Sequence, residues 1–108
     1  MVKGTAVYTS AFTPPTEPLT AVTNTKLLLG AKTLIRDSST SSHAITKAGT
    51  PITQAFSPYD RSDPYSGSDG GSVYFDGTSG NWLTVADSDD LNVGTGDFTL
   101  ECWIKPES

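Results

Sequence analysis

The 108-residue chain has one cysteine, one histidine, only seven lysines and arginines, and 18% charged residues. Each scarcity removes a class of function. A lone Cys102 excludes an internal disulfide and any multi-cysteine zinc site. Seven scattered basic residues against twelve acidic ones leave a net charge of -5; nucleic-acid binding, which needs clustered Lys and Arg, is therefore not expected. Long apolar runs are also missing. The longest surrounds Leu27, Leu28 and Leu29, far short of the roughly 18 residues of a membrane span, so no membrane insertion is expected. Residues 1–4 lack the apolar core of a secretory signal peptide.

What is abundant is hydroxyl: 16 Thr and 13 Ser, which suit strands and turns and leave little room for helices. The closing stretch, GGSVYFDGTSGNWLTVADSDDLNVGTGDFTLECWIKPES, alternates apolar and polar residues three times between glycine-containing turns. That pattern predicts antiparallel strands over residues 72–75, 82–86 and 98–105. Residues 87–91 read as a short helical turn with Leu91 as a buried peg. Upstream, strands are expected over 5–10, over 24–37 with a break at Gly30, over 43–46 and over 52–56, with a polar turn at 37–42. Residues 57–71 read as a long surface loop. Pro14, Pro15 and Pro18 impose an extended, semi-rigid path on the segment after the first strand.

Three blocks resemble the opening strands of laminin-G-like, concanavalin A-like jelly-roll domains: Ser72 to Thr78 (SVYFDGT), Trp82 to Val85 (WLTV) and Gly94 to Pro106 (GTGDFTLECWIKP). Two earlier segments, KGTAVYTSAFTPPT at 3–16 and LTAVTNTKLLL at 19–29, are similar to the junction between tandem jelly rolls in tail-associated proteins of marine and cyanobacterial phages. The resemblance implies an all-β fold, an antiparallel jelly-roll sandwich. Residues 1–12 would be a strand ending a preceding jelly roll or donated to a neighbour, 13–20 a proline-rich linker, and 21–108 the N-terminal part of a laminin-G-like domain. A full sandwich has about a dozen strands, so this one is expected to be truncated or completed by neighbouring chains.

Candidate site residues follow from side-chain chemistry. Trp82, Trp103 and Tyr74 are aromatics that stack on sugar rings when they share a concave face. Asp76, Asp87, Asp89 and Asp90 carry oxygen ligands suited to calcium, although turn and cap roles explain them equally well. The Asp60, Asp63 and Asp69 loop lacks EF-hand spacing. Thr5, Val7, Tyr8 and Phe12 are the expected assembly contacts, because a free sheet edge invites a strand from a neighbour. Glu101 resembles one half of a glucanase acid pair, but the second acid is missing from its strand. Phe98, Leu100, Cys102 and Ile104 are expected to face the core, with Cys102 a small buried filler and Trp103 on the opposite, partly exposed side.

These observations lead to the expectation of a non-enzymatic phage virion protein in a tail fibre, appendage or other surface structure. Its partners would be copies of itself or other virion proteins, with attachment to a host-surface glycan. No cofactor is required, and calcium is a candidate ligand. The rival expectation is a lectin-like carbohydrate-binding module of an adhesin or secreted enzyme.

Overall fold

A computed structural model describes residues 1–30, 34–59 and 71–107. The described chain is all-β, with eight short strands and no α-helix. In chain order these are β1 (Val2–Lys3), β2 (Leu29–Gly30), β3 (Arg36–Asp37), β4 (Ile45–Ala48), β5 (Ile52–Gln54), β6 (Ser72–Tyr74), β7 (Trp82–Val85) and β8 (Phe98–Thr99). They form four antiparallel pairs: β1 with β8, β2 with β3, β4 with β7, and β5 with β6. Most of the loop expected at 57–71, including Asp60, Asp63 and Asp69, lies outside the described residues.

The two central pairs are one long hairpin. Ile45 stands opposite Val85 and Ala48 opposite Trp82; further along, Ile52 stands opposite Tyr74 and Gln54 opposite Ser72. Between these ladders one arm uses residues 49–51 and the other residues 75–81, so the second arm bulges out. Asn81 staples the bulge. Its Oδ1 accepts from the Thr50 backbone N–H at 2.9 Å, and its Nδ2 donates to Thr50 Oγ1 and to Asp76 Oδ1. The arm opposite turns at Gly49, whose φ of +66° lies in the left-handed region.

Strands lie within the expected 52–56, 72–75 and 82–86. Of the strand expected over 24–37, only Leu29–Gly30 and Arg36–Asp37 form strands among the described residues, and Gly30, expected as a break, is a strand residue paired with Arg36. Others are displaced for identifiable reasons. Residues 5–10 form no strand: Gly4 takes a φ of +78°, and the rings of Tyr8 and Phe12 stack with centroids 4.0 Å apart. An extended chain at about 3.3 Å per residue would hold side chains four positions apart at roughly 13 Å. Instead of 43–46, the fourth strand begins at Ile45, because the His43 backbone N–H is bound by the Asp37 carboxylate. The last strand stops at Thr99. Its neighbour β1 cannot extend the ladder, since Met1 turns its backbone toward residues 26 and 27.

The expected core face is not buried. Phe98 is 51% exposed, Leu100 72% and Ile104 82%, and Cys102 is exposed as well. No second layer covers this face among the described residues, where Val2 and Pro51 are the only buried apolar residues. Leu91, expected as a buried peg, is only half-buried in the 3-10 turn Asp89–Leu91. Short antiparallel ladders are therefore present, without the stacked sheets of a closed sandwich.

The hairpin bulge yields a prediction. A Cβ at Gly49 would meet Gly80 O at 2.8 Å and the Asn81 side chain, whereas one at Gly77, also at positive φ, would meet nothing within 4 Å. Gly49→Ala is expected to cost about 2–4 kcal/mol by chemical denaturation, and Gly77→Ala only the left-handed backbone term of about 1–2 kcal/mol. Equal losses would show that the Asn81 staple does not fix the bulge.

Candidate functional site

Two features bring together polar or expected site residues. The first is a polar clamp built on Asp37, at the end of β3. Oδ1 accepts from the backbone N–H groups of Leu28 and Ser39, each at 2.9 Å. Oδ2 accepts from the Ser39 hydroxyl and the His43 backbone N–H, each at 2.8 Å. The carboxylate is only 8% exposed, and Ser39 only 5%. Burial works to raise the Asp37 pKa, but the hydrogen bonds together outweigh it and hold the carboxyl down at about 2.

Beside the clamp, Asp90 joins three segments. Lys26 Nζ lies 2.9 Å from Oδ1, the Ser41 hydroxyl donates to Oδ2 at 2.6 Å, and His43 Nε2 lies 3.7 Å from Oδ2. The Ser41 hydrogen bond, followed by Lys26, holds the Asp90 carboxyl below its ordinary value. The 3-10 turn that carries Asp90 is capped by Ser88, whose hydroxyl accepts from the Asp90 backbone N–H. Lys3 adds a bond from Nζ to the Asp89 carbonyl.

The second feature is apolar. A shallow groove of about 170 Å³ is lined by Phe12, Pro14, Pro15, Leu19, Cys102 and Trp103, with Glu101 at its rim. Trp103 is 49% exposed and meets Tyr59 edge to face at 6.3 Å between centroids. Glu101 accepts from the Tyr8 hydroxyl at 2.9 Å, which raises the phenol's pKa. Val7 donates its backbone N–H to Thr99 Oγ1, and Lys105 lies 4.6 Å over the Phe56 ring. Residues 5–12 thus run beside the 98–105 segment through side-chain contacts.

The expected site residues are distributed unevenly over these features. Trp103 and Phe12 share the groove, and Tyr8 and Val7 flank it. Thr5 sits apart from it, accepting from Asn24 Nδ2. Among the described residues no ring pair joins Trp82, Trp103 and Tyr74 to one another. Asp76 accepts from the Thr78 backbone N–H and from Asn81, the geometry of an Asx turn. Asp90 is engaged by Lys26, and Asp87 and Asp89 are exposed. Among the described residues no group of three or more His, Cys, Asp or Glu side chains converges as a metal site.

Sequence reasoning did not single out Asp37, Lys26 or Ser41. The Asp-Ser-Ser start of the polar turn signals an Asx turn, which accounts for the bond to Ser39 two residues on. The bonds to Leu28 and His43 depend on the β2–β3 hairpin and carry no local signal. Comparisons with known protein families, curated proteins and solved structures give no match.

The clamp predicts an acid limb in stability. Because the folded-state pKa of Asp37 is depressed from 3.8 to about 2, its contribution is present above about pH 4 and is lost as pH falls through about 2, on the order of 1–2 kcal/mol in total. Asp37→Asn turns one accepting oxygen into a donor facing other donors. It is expected to cost about 1–3 kcal/mol at pH 7 and to flatten the profile between about pH 4 and pH 2. Denaturant titrations at a series of pH values measure both effects; an unchanged acid limb in the variant would remove Asp37 as its source.

Proposed function

We propose that this chain is a non-enzymatic structural module of a phage virion, part of a tail fibre, appendage or other surface structure, and that its work is assembly. The observation that carries the reading is the uncovered apolar face of residues 98–104, where Phe98, Leu100 and Ile104 are each about half exposed or more and Cys102 is exposed beside them. A sheet face of this composition gains free energy by burial against another layer. The laminin-G-like resemblance of residues 72–106 supplies the architecture: an antiparallel jelly roll of which these residues are the opening part. Residues 1–12 act as an arm along the 98–105 segment, residues 13–20 as a stiff connector, and residues 21–108 as the body. The arm's Val7, Tyr8 and Phe12 already lie against the 98–105 segment through Thr99, Glu101 and the groove around Trp103.

The reading requires no metal. Host-glycan attachment is a secondary role of the same surface, because the Trp103 ring is partly open to solvent beside the groove.

Antibody raised against the chain should label intact particles of the encoding virus in electron micrographs, at repeated positions on one virion part. Absence from particles, combined with micromolar binding on a glycan array, would overturn the assembly reading in favour of the lectin-like module.

A further inference from the structure

Residues 100–107, which follow β8, lie in no strand and have a charge pattern of their own. Among the described residues no backbone-to-backbone hydrogen bond engages them. Alternate side chains of an extended strand share a face, so pairing as a strand would put Glu101, Trp103 and Lys105 on one side and Leu100, Cys102 and Ile104 on the other. Glu101 and Lys105 flank Trp103 at equal spacing, so the segment is complementary to its own reverse.

We propose that a second copy of this chain pairs with residues 100–106 as an antiparallel strand, related by a two-fold axis through Trp103. In this register Glu101 stands opposite Lys105 of the partner subunit, and Lys105 opposite Glu101 of the partner subunit. The symmetry is that of an isologous dimer, in which each contact occurs twice. Cys102 falls opposite Ile104 of the partner subunit, joining the two exposed apolar faces into one. With residues 101, 103 and 105 as the hydrogen-bonded positions, Pro106 falls at a non-bonded one and its missing N–H costs nothing.

Alternative registers are disfavoured by the same charges. A two-fold axis at Glu101 would oppose two carboxylates, an axis at Lys105 two ammonium groups, and parallel in-register pairing would do both.

The proposal rests on the assembly reading and names the partner at that face. Sedimentation equilibrium or light scattering of the 108-residue chain is expected to give about twice the 11.4 kDa chain mass. Glu101→Lys and Lys105→Glu should each weaken the dimer roughly 5- to 30-fold, because each places like charges opposite one another twice. The double variant E101K/K105E should restore it, while far-UV circular dichroism confirms that every variant keeps its strands. Restoration also separates pairing from the intramolecular contacts of Glu101 with Tyr8 and Lys105 with Phe56, which the double variant does not recover. A monomer at all concentrations, or a dimer indifferent to the charge swaps, would overturn the proposal; virion labelling would still decide the assembly reading independently.

Discussion

The structure depends on a shortage of apolar cover. Short antiparallel ladders are marginal alone, and a sheet becomes independently stable when one face packs against another layer. Here Val2 and Pro51 are the only buried apolar residues among those described, so order comes largely from hydrogen bonds instead. Asp37 is the clearest instance. A single carboxylate ties the β2–β3 hairpin to the polar turn and to the approach of β4 by satisfying donors from Leu28, Ser39 and His43. Asp90 then links that turn to the 3-10 turn and to Lys26. Polar clamps specify geometry well, but each net bond contributes only about 1 kcal/mol, so they do not replace a core.

How far the fold was legible in the sequence depended on whether its cause was local. The strands at 72–74 and 82–85 follow from strict alternation bounded by glycines, and the turn at 39–42 from its run of serines. Gly30, read as a break because a glycine inside an apolar run weakens a strand, is instead paired with Arg36 in the β2–β3 ladder. Residues 5–10 alternate just as well, yet Gly4 and the stacking of Tyr8 on Phe12 bend them away. Alternation states which side chains could share a face; it does not state whether a neighbour is present to pair with. The same limit explains the 98–104 face, where the pattern was read as core and the described structure leaves it open.

The aspartates teach a related lesson about the site. Asp76, Asp87, Asp89 and Asp90 share a composition that suits an oxygen-liganded cation, but composition does not reveal where each carboxylate points. Asp76 closes a turn that Asn81 completes, and Asp90 faces an ammonium group. Asp37, embedded in a run that looked like ordinary turn chemistry, proved to be the most constrained acid of the described chain. Its importance comes from Leu28, nine residues away, and nothing near position 37 announces that contact.

An exposed apolar strand edge is normally blunted, because an unguarded one pairs indiscriminately. In residues 98–106 the guards are Glu101, Lys105 and Pro106. Placed at random they would simply oppose association; placed symmetrically about Trp103 they attract one another in the register centred there and repel in those centred on Glu101 or Lys105. A two-residue shift of the axis either way brings a like charge directly opposite itself across the ladder. The apolar residues make association favourable without choosing a geometry, since Leu100, Cys102 and Ile104 tolerate one another in many alignments. Selection among those alignments then falls to two charges and one proline, which add little affinity but penalise each competitor. In any such pairing an apolar face supplies the driving force, and sparse charges determine its geometry.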